Sequence, residues 1–554
     1  LGVFSDVKVV TVAGGSLKTV SSGVAFTTPN VLTLASTTGT DSLGTKLDTL
    51  TLSNVGSATA TYSSGLGTVT VDGSTATSAS LDALYRGKYL QDVVINNGLP
   101  AGVVFRTFQF GNVTVNGNLA GVITTDANND NRSNDAEQAI GNVTINGSIV
   151  DGGYIESATS IGNVTVTGGI THTVGSDTIT VATIPGFPNQ IAVISTLGRS
   201  GVSAKIGDVA VTGDINIGTS TVPVAEGLIS ANRALTSTAN SPTSVGSTAG
   251  IGNISGANLT VYSSLPLAAF ATGTTAATLA GIINEQGPSG QNIGTVTFTG
   301  DVVVTNTSVG FIHSARSIGA ISVKSLTMTT PAAQGITTLS ANNGNIGAIT
   351  SSSTAVPVTP FVIGNGITLV GGRIFAGGSG SVGAITVGGT GSLYMGASTT
   401  GVVNATGSGI TAGSIGTISV TSGNLTTGTT APISATNGGI GGILLSAGTL
   451  TVNSNITATG GNVGDITLSA SLASSIATAQ IKSVVANSVG GAVGNLTVTG
   501  GSLTFGAGGG IDAATTVGNI TTSALTLGTA TSTIVAGTTI GNIAVNGDLT
   551  FTGV

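Results

Sequence analysis

The stretch IGNVTVTGG, residues 161–169, decides how the chain is read, because near copies stand at 110 (FGNVTVNGN), 140 (IGNVTINGS), 493 (VGNLTVTGG) and 540 (IGNIAVNGD). Within it Val164 and Val166 alternate with Asn163, Thr165 and Thr167, the period of two that marks a half-buried strand. Ile161 stands three residues before Val164, out of phase with that alternation, so the chain turns at Gly162, where a positive φ is open to glycine. A second glycine after the strand precedes another apolar residue, as in GNL at 117, GSI at 147, GDI at 213, GSL at 501 and GDL at 547. This is a second corner leading to a second face.

The first apolar residue of the phrase falls at Leu66, Phe110, Ile140, Ile161, Ile206, Ile251, Ile293, Ile318, Ile346, Val382, Ile415, Ile440, Val463, Val493, Val517 and Ile540, at intervals of 21 to 45 residues. The shortest intervals hold three short strands and three corners, one coil of a parallel β-solenoid; the longer ones are the same coil carrying an insertion. Propeller blades need four antiparallel strands and immunoglobulin-like sandwiches repeat at far longer intervals. The expected fold is therefore all-β: an elongated parallel β-helix with about three strands per coil and irregular loop insertions.

Stacked coils place like residues in columns, aliphatics inside and Thr or Ser outside. Ile161, Val164, Val166, Ile206, Val209, Val211, Ile540, Ile543 and Val545 are expected to face inward. The third position of the phrase is Asn at 112, 142, 163, 253, 495, 519 and 542, where the amide is expected to stack at a corner and hydrogen-bond along its column. Asp208, Asp465, Thr295 and Ala348 read as breaks in that column. Residues 1–109 are less regular, a β-rich and partly β-helical cap or docking region in which SLDALYRGKYL, 80–90, reads as a short helix; residues 110–554 form the solenoid body.

The Gly-cornered, IGNVTV-type phrase over roughly residues 60–554, together with the composition, resembles the β-strand-repeat proteins of bacterial surfaces. That group includes large adhesin passengers and some surface-layer (S-layer) proteins. The resemblance implies a right-handed β-helix and an extracellular, cell-surface setting.

Composition agrees with an ordered β protein. Of 554 residues 88 are Gly, two are His, none is Cys or Trp, and 6% are charged; disordered chains lack the β-branched apolar residues that dominate here. A net charge of −7 provides no basic field for nucleic acid or anionic lipid. No apolar run is long enough to span a membrane, and the opening LGVFSDVKVV is neither a Met start nor a signal peptide, as expected of a mature or partial product. Twelve of the 21 carboxylates lie before residue 160, and none lies between 302 and 464.

Sugar-cleaving β-helices need paired carboxylates, or an acid with a base, on one face. His172 and His313 each stand without a neighbouring carboxylate in sequence, and read as loop or face residues. Asp208 with Asp214, and Asp151 with Glu156, read as solvated carboxylates; no catalytic residue is expected. The GxG strings lack a following helix and the P-loop Lys. One insertion stands apart: DANNDNRSNDAE, residues 126–137, follows EF-hand loop spacing with Asp126, Asn128 and Asp130 at positions one, three and five, the Arg132 carbonyl at seven and Glu137 at twelve. Hard oxygen ligands at this spacing suit Ca²⁺, although position six is Asn131 in place of Gly.

The functional expectation is an extracellular structural protein of the bacterial surface, self-assembling into a surface layer, sheath or filament by lateral or end-to-end contact between copies. The alternative is an adhesin stalk that binds glycans or host surfaces; a polysaccharide-degrading enzyme comes third.

Overall fold

A computed structural model describes the chain apart from residues 1–16, 22–29, 35–46, 52–57, 63–65, 87–88, 126–138, 174–190, 197–203, 223, 225, 232–248, 264–280, 286–291, 307–309, 330–336, 354–365, 397–408, 430, 470–473, 477–479, 485–490, 529–530 and 553–554. The chain divides into two compact units, residues 1–257 with 282–291 and residues 258–281 with 292–554. Each is a parallel β-solenoid.

In the first unit the phrase forms the strand Val164–Val166, parallel to Val143–Asn146 on one side and Val209–Val211 on the other. Side chains alternate along a strand and the coils stack in register, so valines at alternate positions become columns. Val93, Val113, Val143, Val164 and Val209 form one; Ile95, Val115, Ile145, Val166 and Val211 form the next. All are buried, each contributing about 1.5–3 kcal/mol relative to an exposed side chain. Their β-branched stems are stiff and pack well on a pleated surface. Ahead of the corner Phe110, Ile140, Ile161, Ile206 and Ile251 stack as expected.

After the second corner Leu99, Leu119, Ile149, Ile170 and Ile215 line a second face. A third face is built from Val104–Arg106, Val122–Thr124, Tyr154–Ser157, Ile191–Thr196, Glu226–Ala231 and Gly281–Glu285, all parallel in order. These are the three strands per coil that the shortest repeats require.

The corner glycine is needed for a reason the sequence did not reveal. Gly162 does not take a positive φ; instead a Cβ there would stand 2.7 Å from Asn142 Oδ1 and 2.8 Å from the Gly141 carbonyl carbon. At this corner the preceding coil approaches too closely for a side chain, so packing selects glycine. At the second corner Gly117 takes a positive φ (125°), whereas Gly147, Gly168 and Gly213 do not.

Parallel pairing of solenoid type is already present before residue 109, where Leu17–Ser21, Leu47–Thr51 and Leu66–Asp72 stack in order and Asn30–Leu34 pairs with Ala58–Tyr62. The helix expected over 80–90 spans Ser78–Tyr85 instead, and Tyr89 and Leu90 open the strand Tyr89–Asn96. Thr77 Oγ1 accepts from Ser80 N while Thr77 N donates to Ser80 Oγ, both at 3.1 Å, a reciprocal cap that satisfies two otherwise orphaned donors. The helix buries Leu81, Leu84 and Tyr85; the Tyr85 ring lies 5.3 Å from Phe105, which meets Phe110 edge-on at 5.1 Å.

The second unit repeats the plan. Ile293, Ile318, Ile346, Val382, Ile415, Ile440, Val463, Val493, Val517 and Ile540 form the column ahead of the corner. The strands that follow, from Val296–Phe298 to Ile543–Val545, pair in register. Ile312, Leu339, Ile374, Ile410, Ile433, Ile456, Ile481, Ile511 and Ile534 stack on the third face. One part of the expected core is corrected here. Ile540 and Ile543 hold the expected register but are 43% and 47% exposed, and Val545 is half-buried. The inward face of a coil is closed only by coils on both sides, and among the described residues none lies beyond theirs.

Candidate functional site

The polar features grow from the corners and outward faces, since the interior columns are aliphatic. In the first unit the third position of the phrase forms a hydrogen-bonded column. Asn112 N donates to Asp92 Oδ1 (3.3 Å), Asn142 N to Asn112 Oδ1 (3.2 Å), Asn163 N to Asn142 Oδ1 (2.9 Å), Asp208 N to Asn163 Oδ1 (2.9 Å) and Asn253 N to Asp208 Oδ1 (2.7 Å). Asp208, expected to break the column, carries it. The corner requires only a side-chain oxygen of the right reach, and a carboxylate accepts as an amide does. Asp465 acts likewise in the second unit, accepting from Asn495 N at 2.8 Å.

Both histidines are corrected from loop or face positions to buried strand positions. His172 is fully buried on the strand Ile170–His172, with its ring edge-on to Tyr154 at 5.0 Å. His313, in the strand Gly310–Ser314, places Nδ1 2.9 Å from Ser340 Oγ. Burial pulls its pKa down to about 4, so the imidazole is neutral at pH 7. A Ser–His contact at this distance is half of a nucleophile–base arrangement. Here His313 is 2% and Ser340 1% exposed, which leaves no open side for a substrate.

Asp151 and Glu156, like Asp208, are engaged in coil-to-coil bonding. Asp151 accepts from Thr173 N at 2.6 Å and from its Oγ1 at 3.3 Å; Glu156 accepts from Thr124 Oγ1 at 3.3 Å. Asp82, on the helix, lies 3.3 Å from Arg106 Nε and 3.9 Å from Arg86. Burial raises its pKa by more than the two guanidinium groups lower it. The Arg106 contact is an ion pair without hydrogen-bond alignment, since neither Asp82 Oδ1 nor Arg106 Nε completes a hydrogen bond.

The expected calcium ligands Asp126, Asn128, Asp130, Arg132 and Glu137 lie outside the described residues. Among the described residues no three His, Asp or Glu side chains converge as a metal site, and no helix is long and apolar enough to cross a membrane.

The outward column of the second unit runs Thr297, Ser322, Thr350, Thr386, Ser419, Leu444, Thr467, Thr497 and Thr521 without a charge. On the third face Arg373 and Phe375 are neighbours that the sequence reading passed over. Their i, i+2 spacing within a strand was the available signal, because it puts both side chains on one side.

The chain matches no protein-family model, no curated protein and no solved structure. What sequence and structure identify together is the architecture, a repeat protein built as a parallel β-solenoid.

Proposed function

We propose that the chain is an extracellular structural protein of the bacterial surface, a solenoid subunit that polymerises with its own copies into a layer, sheath or filament. The uncharged outward column from Thr297 to Thr521, in a stretch whose residues 302–464 contain no carboxylate, carries this reading. Soluble monomers keep about a quarter of their surface charged, which holds copies apart. A face of Thr and Ser hydroxyls and methyls, with Leu444 among them, has no such repulsion. Two such faces exchange water for each other with little charge desolvation.

Electron microscopy of the purified chain tests this reading. Ordered polymers are expected of the wild type, and dispersed monomers of the combined Thr350→Lys, Thr386→Glu and Thr467→Lys variant. Polymers that persist unchanged in the variant overturn the assignment of the contact face. Calcium enters the proposal through the 126–137 loop, whose closely spaced carboxylates repel one another without a cation. Calorimetry is expected to show Ca²⁺ uptake by the wild type and its loss in Asp126→Ala plus Glu137→Ala; equal uptake by both removes the loop from the account.

A further inference from the structure

Arg373 is out of place in its surroundings. It lies on the strand Gly372–Ala376, half-buried, with its guanidinium carbon 4.3 Å above the Phe375 ring centroid. Among the described residues it has no ion pair and no hydrogen bond, and no carboxylate occurs anywhere from residue 302 to residue 464. Burial alone lowers its pKa, a penalty on the charged form with no anion nearby to offset it. The ring holds the guanidinium plane but satisfies none of its five N–H donors. The next coil places Gly409 beside Arg373, so the paired residue itself brings no side chain to that flank. At Gly409 φ is 114°, and a Cβ would run into the Pro432 carbonyl oxygen, which selects glycine there.

The neighbours define what lies alongside. The column through Phe375 runs His313, Ser340, Phe375, Thr411, Ser434 and Thr457. His313 and Ser340 are buried, whereas Phe375, Thr411, Ser434 and Thr457 are partly exposed. Arg373 therefore stands where a covered section of the third face gives way to an open one, at the head of a row of hydroxyls spaced by the coil repeat of about 4.8 Å. A planar fork of donors fits a carboxylate in two parallel hydrogen bonds. A row of hydroxyls whose apolar neighbour, the partly exposed Phe375, is covered on one ring face by the guanidinium suits a hydroxyl-rich, extended chain better than a protein partner, whose interfaces centre on buried apolar contacts.

We propose that Arg373, held on Phe375, binds the carboxylate of an acidic polysaccharide that runs along the Thr411, Ser434 and Thr457 hydroxyls. An anionic sugar supplies the counter-charge this stretch lacks. The site is independent of the self-assembly face.

The test is calorimetric titration of the full chain with three probes: trigalacturonate, its fully methyl-esterified form and pentaglutamate. Trigalacturonate is expected to bind, and the ester and pentaglutamate at least tenfold more weakly. Arg373→Gln, which keeps a planar donor but removes the charge, is expected to lose at least tenfold; Arg373→Lys, which keeps the charge but not the fork, is expected to fall between Gln and wild type. The melting temperature separates a binding role from a packing role. Removing an uncompensated charge should leave the Arg373→Gln melting temperature unchanged or higher, and a lower one with binding retained makes Arg373 a packing residue. The proposal is overturned if the ester binds as well as the acid, if Arg373→Gln binds like the wild type, or if no trigalacturonate binds. Equal binding of pentaglutamate also overturns it and assigns the site to an acidic protein partner.

Discussion

Two stretches of the solenoid, one in each unit, link their corners at two different positions. In the first unit, from Asp92 to Asn253, each coil is linked to the next through the third position of the phrase. In the second unit, from Asn292 to Ser381, that position holds Thr295, Ala320 and Ala348, and the link sits three residues earlier. Ser317 N donates to Asn292 Oδ1 (3.3 Å), Asn345 N to Ser317 Oγ (3.0 Å) and Ser381 N to Asn345 Oδ1 (2.8 Å). Between the two positions an inward apolar residue stands in every coil, followed by glycine except at Gln91. A corner link is thus interchangeable, while the inward columns, which run the same way in both units, have no substitute. Each inward residue with a coil on both sides is enclosed by them, whereas each corner N–H has water as an alternative partner.

The largest expected effect follows from that asymmetry. Val166→Asp in the first unit and Val323→Asp in the second each place a carboxylate in a buried column, with an expected cost of several kcal/mol. Denaturant unfolding checks both. The two variants should be destabilised alike; if either loses no more than a corner variant does, the distinction between column and corner fails.

A smaller effect separates the units by pH. His313 is buried in the second unit with a pKa of about 4 against an ordinary 6.5. The folded state therefore resists a proton that the unfolded chain accepts. The contribution is complete above pH 6.5 and declines as pH falls toward 4, where on the order of 3 kcal/mol has gone. His313→Gln keeps a polar partner for Ser340 and removes the titration. Its stability should therefore depend less steeply on pH than the wild type between pH 6.5 and 4; superimposable profiles would show that His313 is not held neutral by burial.

The inward columns were legible because a strand alternates with period two and a solenoid repeats that alternation, so Ile161, Val164 and Val166 needed no tertiary information. The role of Gly162 was not legible, since the clash that selects glycine comes from Asn142 and Gly141, 20 and 21 residues earlier in the chain and one coil away. Asp208 was misjudged for a related reason: by residue type it differs from Asn, but by reach and lone pairs it does the same work. The exposure of Ile543 and the burial of His313 were hidden because both depend on what lies against the strand. Arg373 escaped notice because its half-burial against the Phe375 ring shows only once the strand is placed in the fold.

The smallest expected effect tests interchangeability directly. Asn345→Ala removes the acceptor for Ser381 N and also for Ser381 Oγ, 3.1 Å away. Because this corner is exposed, water replaces part of the loss, and the expected cost is about 0.5–1 kcal/mol. Adding Ala348→Asn places an amide at the position used by Asn142 and Asn163 in the first unit. The residue that follows in its column is Ala384, one before Ile385, as Asp208 is one before Val209. Its N–H should donate to the new Asn Oδ1 as Asp208 N donates to Asn163 Oδ1. The link would then have moved three residues along the corner without touching an inward column, and the double variant should recover most of what Asn345→Ala loses. Thermal unfolding of the wild type, the two single variants and the double variant measures this as a coupling. A double variant no more stable than Asn345→Ala would mean that the two corner positions are not equivalent, and that the second unit depends on the link where it stands.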